Sequence, residues 1–176
     1  METTQLQRRG GATLWFALSL VIMAIAAPAG AQEGWQSPLL IPAAEFENSG
    51  IFPFEDNFYD SDGYVSGSTN TNLTMVAPVH LPNFATITRF EAAMVDIGDC
   101  PAVPDVQVQL RRVNYGTGDD SLLAMVNSND NMNMEIFADT SIADATVNNL
   151  SHGYFAVVYM CGAFQGFQGV RIHYSE

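Results

Sequence analysis

An antiparallel β-sandwich of about seven to nine strands is the fold that this sequence predicts. Three observations predict it. Short apolar runs with period-two alternation recur along the chain. Clusters of Gly, Asn, Asp and Pro separate them, each able to supply a turn. Beyond the N-terminal run, no stretch carries a sustained helical period with caps.

Taken in order, "SPLLIPAAEF" (37–46) and "GYVSG" (63–67) are the weaker strand signals. "LTMVAPVHL" (73–81) is clearer, and "ITRFEAAMVDI" (87–97) is long and mixed. "DVQVQLRRV" (105–113) sets Val106, Val108 and Leu110 against Gln107, Gln109 and Arg111, one face inward and one wet. "SLLAMVNS" (121–128) and "MEIFADT" (134–140) follow. "IADATVNN" (142–149) is long enough for one helical turn. "YFAVVYM" (154–160) is apolar on both faces, as a central strand would be, and "GVRIHY" (169–174) alternates again. Pro78, Pro82, Pro101 and Pro104 fall at strand ends or edges, where a missing donor is tolerated.

The domain organisation is simple. Residues 1–31 read as a signal peptide: Arg8 and Arg9, an apolar run over 12–27, then Ala29 and Ala31 at the spacing that signal peptidase accepts. The run is shorter than the roughly 20 residues that span a bilayer. Residues 32–176 form one domain, and the expected location is secreted or periplasmic, with no membrane contact after cleavage. Formal charge is −13, and lysine is absent. Such a surface repels nucleic acid and anionic lipid. An apolar content of 48% excludes a disordered acidic tail.

Cys100 and Cys161 are the only cysteines, and in an exported chain they are expected to form one disulfide.

Six segments carry a resemblance: "IPAAEF" (41–46), "APVHLPNFATIT" (77–88), "VQLRRV" (108–113), "DTSIADATVN" (139–148), "YFAV" (154–157) and "GVRIHY" (169–174). They resemble an uncharacterised family of secreted bacterial proteins. The resemblance implies a β-sandwich and export, and it implies no activity.

The densest chemistry is "EDNFYDSDGY" (55–64). An EF-hand register with Gly63 at position 6 puts Phe58 at position 1 and Thr69 at position 12, so it fails. A looser calcium site from Asp56, Asp60, Asp62 and backbone carbonyls is the alternative to a plain acidic turn. Calcium is thus the one cofactor considered, and none is required. "NSNDNMNM" (127–134) has alternate-spaced amides and reads as a hairpin loop. His80, His152 and His173 show no metal-ligand spacing, and no Ser sits in a nucleophile elbow. The domain is therefore expected not to be an enzyme.

Aromatic side chains that could stack on sugar rings are Trp35, Tyr59, Tyr115, Phe164 and Phe167. "CGAFQGFQG" (161–169) is the most suggestive, because Phe164 and Phe167 are interleaved with Gln165 and Gln168. Two functions follow. The first is a non-catalytic, structural or adhesive module of the cell surface, matrix or a filament, self-associating through residues 33–46. The alternative is a lectin-like domain with a glycan ligand.

Overall fold

The computed structural model describes residues 37–49, 57–59, 65–67, 72–97, 105–161 and 165–176. They form two stacked antiparallel sheets. The strands are β1 (Leu39–Pro42), β2 (Glu47–Asn48), β3 (Asn57–Tyr59), β4 (Val65–Gly67), β5 (Asn72–Val79), β6 (Thr86–Asp96), β7 (Val106–Asn114), β8 (Asp120–Asn127), β9 (Glu135–Asp139), β10 (His152–Cys161) and β11 (Gln165–Ser175). One sheet runs β3-β4-β11-β6-β9, with β1 also on β11; the other runs β2-β5-β10-β7-β8.

The chain changes sheet at nearly every loop from β5 onward, in the manner of a jelly roll. Even-numbered positions of β10 (Tyr154, Ala156, Val158, Met160) and of β7 (Val106, Val108, Leu110) point into the core. Phe90, Ala92 and Met94 of β6 and Val170, Ile172 and Tyr174 of β11 meet them from the opposite sheet. The sandwich is as expected, and four local readings need correction.

First, 127–134 is not a hairpin. It carries the chain across the sandwich, because β8 pairs with β7 while β9 pairs with β6. Asn129 and Asn131 amides donate to the Glu135 carboxylate and fold this crossover on itself. Second, residues 142–149 form turns rather than a helical turn. Their backbone is used by neighbours: Ala143 N–H donates to Leu123 O, and Val147 exchanges bonds with Phe84 and Ala85. Together with Asp139, whose carboxylate accepts the Met125 N–H, this segment covers the outer edge of β8. Third, β11 begins at Gln165, so the C-terminal half of the expected Gly-rich loop is strand. Fourth, Asn57–Tyr59 of the acidic stretch is a short strand paired with β4.

The 37–46 segment is only partly strand. Leu39–Pro42 pairs with Ile172–Gly169 of its own chain, and Ala43–Glu45 is a 3-10 turn. Filament formation through residues 33–46 would have to use the other edge of residues 39–42, because one edge is already paired with β11 of the same chain. Gly169 makes the pairing feasible. Its φ is +140°, and an added Cβ would lie 2.4 Å from Ile41 O. Pro78 sits in β5 opposite Phe155, beyond the short stretch where β2 covers the other edge, so its missing N–H costs no ladder bond.

Candidate functional site

At the end of the sandwich where β5 finishes and β6 begins, a cleft of about 590 Å³ opens. Its size falls within the usual range for a small-ligand pocket. His80, Pro82 and Asn83 come from the β5–β6 loop, Tyr115 from the β7–β8 turn, Asn149 from the turn before β10, and His152 and Tyr154 from the start of β10.

Tyr115 is 68% exposed. Its backbone is fixed by its own N–H donating to Ser151 O at 2.9 Å. The turn behind it is closed by the Asn114 side chain, which accepts from the N–H groups of Gly116 and Thr117. The ring lies over Gly153: a Cβ there would stand 2.8 Å from the Tyr115 hydroxyl and 3.2 Å from Cε1. Glycine at 153 therefore lets the ring rest against strand backbone with its other face open.

The polar lining is held in place. Asn83 Oδ1 accepts the Asn149 N–H at 2.8 Å, and Asn149 Nδ2 donates to Leu81 O at 2.8 Å. Asn83 Nδ2 and Asn149 Oδ1 keep no hydrogen-bond partner among the described residues. The Tyr154 hydroxyl accepts the Asn148 N–H at 2.8 Å. His152, which lines the cleft, pairs through Nδ1 with Ser151 Oγ at 2.8 Å. The next residue after Asn83 is Phe84, 68% exposed and held at φ +69°. A bulky residue rarely adopts that conformation. The Phe84 N–H is anchored on Val147 O at 2.8 Å, so tertiary contacts hold the strained turn.

A second groove, about 480 Å³, lies on the outer face of β6 and β11. Leu40, Ile136, Gln168 and Arg171 line it, and none of its lining residues is aromatic. Its floor holds Glu91, only 6% exposed. Arg89 pairs with Glu91 Oε1 at 2.6 Å, and His173 and Arg171 approach Oε2 at 3.1 and 3.6 Å. The carboxylate is thus consumed by a local charge network that ties β6 to β11.

The residues singled out in the sequence distribute unevenly. Tyr115 is exposed in the cleft, and Gln168 is exposed in the groove. Phe167 and Gln165 are 0% and 1% exposed, so they face the core and cannot carry a ligand. The cause is the early start of β11, whose alternation turns both inward. Asp56, Asp60, Asp62, Trp35, Phe164 and Cys100 lie outside the described residues. His80 and His152 share the cleft while His173 is engaged by Glu91, so the three histidines do not converge. Asn83 and Gly153 were not singled out, and Asn149 stands out in the sequence only as the first residue of an N-L-S glycosylation pattern. Nothing local marks the three as ligand residues, because they meet only through the turns on either side.

No protein-family model matches this sequence, and no curated protein matches it. Among solved structures, the chain is similar to the C-terminal CBM6 of LamC, a marine laminarinase from Zobellia galactanivorans. The TM-score is 0.51 at 14% identity, covering 78% of this chain and 99% of that one. It is also similar to the xylan-binding module CBM15, with a TM-score of 0.48 at 12% identity over 80% of this chain and 99% of that one. The first likeness shows a shared fold.

Proposed function

We propose that this protein is an exported carbohydrate-binding module that holds a sugar in the Tyr115 cleft. The observation that carries the reading is the exposed Tyr115 ring laid over Gly153 beside two anchored asparagines. The apolar face of a pyranose stacks on such a ring. Amide and imidazole groups at the ring's edge match sugar hydroxyls as donors and acceptors. The fold it shares with a CBM6 module supports the same reading. Export rests on the signal-like residues 1–31. A structural or adhesive role through residues 33–46 has only the outer edge of β1 to use, since the inner edge is paired with β11.

The test is a polysaccharide and oligosaccharide array, followed by calorimetry on the strongest binder. Tyr115→Ala is expected to weaken binding at least tenfold while leaving the melting temperature unchanged, because the ring is exposed. A protein that binds nothing on the array, or binds equally well as Tyr115→Ala, would sink the proposal.

A further inference from the structure

The opposite end of the sandwich carries a different chemistry. Asp96 ends β6 in one sheet, and Asp105 precedes β7 in the other. Asp130 lies in the crossover from β8 to β9. One carboxylate oxygen from each lies within 4.8 Å of the others. Two of the three residues are buried, Asp96 and Asp105 each at 3% exposure.

Like charges at this spacing repel, and burial makes each charge harder to hold. The arginines of the domain are engaged elsewhere: Arg89 and Arg171 with Glu91, Arg111 with Asp120, Arg112 with Asp144. The surroundings hold the carboxylates in place. Ser128 Oγ donates to Asp96 Oδ2 at 2.6 Å and accepts the Val106 N–H at 3.0 Å. The Asp96 N–H donates to Asn131 O at 3.2 Å, which draws the crossover onto the end of β6. Gln165 Nε2 donates to Asp105 Oδ2 at 3.4 Å.

An independent observation points to a ligand. Asp96 Oδ1 is fully buried and has no hydrogen-bond partner among the described residues. A carboxylate oxygen hidden from water without a donor is costly to keep. A hard divalent cation would satisfy it and neutralise the cluster at once. Calcium bonds oxygen at 2.3–2.6 Å, so oxygens around one ion lie up to about 4.6–5.2 Å apart. The observed separations fit that limit.

We propose that Asp96, Asp105 and Asp130 bind one calcium ion that joins the two sheets at the end remote from the Tyr115 cleft. The ligands come from both sheets and from the crossover between them. Calcium would therefore act on the stability of the sandwich. Its three ligands are other residues than the carboxylates of the stretch 55–64.

The test is calorimetric titration of the purified protein, freed of metal by chelation, with calcium chloride, together with melting curves. One saturable calcium per chain and a higher melting temperature are expected. Asp130→Asn is the primary variant, because its side chain is exposed and its loss should not prevent folding; it should weaken calcium binding at least tenfold. Asp96→Asn should abolish the calcium response where it folds. Asp60→Asn/Asp62→Asn should leave it unchanged. Three outcomes would overturn the assignment. One is no saturable binding at millimolar calcium. Another is binding that survives Asp130→Asn intact. The third is an Asp96→Asn protein more stable than the parent with no calcium response in either, which would mean that the cluster is held by a proton.

Discussion

Phe46 and Phe167 meet edge to face in the core, ring centroids 4.8 Å apart and planes at 82°. Phe46 follows the 3-10 turn after β1, and Phe167 lies in β11, so the contact pins the N-terminal segment to the last strand. Both rings are essentially unexposed. Phe167→Ala should cost about 3–5 kcal/mol in chemical denaturation, as for other buried aromatic truncations. A double-mutant cycle with Phe46→Leu and Phe167→Leu should return a coupling of about 1 kcal/mol. Additive single effects would contradict the geometry. Phe167 substitutions should leave glycan affinity of the folded protein intact.

Cys161 ends β10 at the same end of the sandwich as the aspartate cluster. The strands ending at Asp96 and Cys161 are not neighbours; they belong to opposite sheets. Yet the Cys161 N–H donates to Asp105 O at 2.9 Å, and Asp105 closes the 97–105 connection in which Cys100 lies. A Cys100–Cys161 bond is therefore expected to join that connection to β10. Intact mass under native alkylation should show no added label. Its reduction should destabilise the protein by about 4 kcal/mol on the chain-entropy model for a loop of about 60 residues. Two labelled cysteines in unreduced protein would refute the bond.

Much of this fold was legible because strands announce themselves locally. The alternation in 105–113 and 169–174 predicted which side chains of β7 and β11 face the core, but Gln109, expected on the wet side, is buried where it bonds Gln107 and Arg111. Sheet membership was not legible. The turn residues of "NSNDN" serve a hairpin or a crossover equally well, and only the pairing of β9 with β6 decides between them. The sites follow the same rule. Tyr115 could be picked out as an aromatic in a Gly-rich turn. Asp96, Asp105 and Asp130 are spread over three segments, and no spacing rule joins residues brought together by a change of sheet. Phe167 failed as a ligand residue because one strand started earlier than its glycines suggested.

Tyr174 supplies a pH prediction. Burial, with a smaller contribution from the Glu176 charge, raises its phenol above the ordinary value of 10.0. Its hydroxyl is buried without a partner among the described residues. In the unfolded chain the phenol ionises near pH 10, while the folded form stays protonated to higher pH. The unfolded state then binds fewer protons, so this group's effect is a loss of stability as pH rises through about 10. Tyr174→Phe should remove that component of the alkaline slope. At neutral pH its stability should be equal or higher by about 1 kcal/mol, since an unsatisfied hydroxyl is deleted. Urea midpoints of both proteins between about pH 8 and pH 11 provide the comparison. Parallel slopes would show that the phenol ionises alike in both states.

Gly169 controls whether the N-terminal strand stays at home. Alanine there would set a Cβ 2.4 Å from Ile41 O and 3.0 Å from Pro42 Cα, both backbone atoms that cannot swing aside, at a φ of +140° that alanine resists. Gly169→Ala should therefore release Leu39–Pro42 from β11 and expose Ile41. The expected cost is at least about 2 kcal/mol, from backbone strain and lost burial. The freed edge of β11 would then present unpaired donors and acceptors, and the chain has no lysine to discourage pairing there. The parent protein should be monomeric by light scattering, while Gly169→Ala should form concentration-dependent oligomers by pairing of the exposed β11 edges, since β1 of any chain would meet the same added Cβ. Gly118→Ala is the control. Its φ is +76°, but nothing lies within 4 Å of the new Cβ. It should show a loop-strain cost of about 1 kcal/mol and stay monomeric. If Gly169→Ala is as stable and as monomeric as the parent, β1 is not held at Gly169 in the way the structure shows.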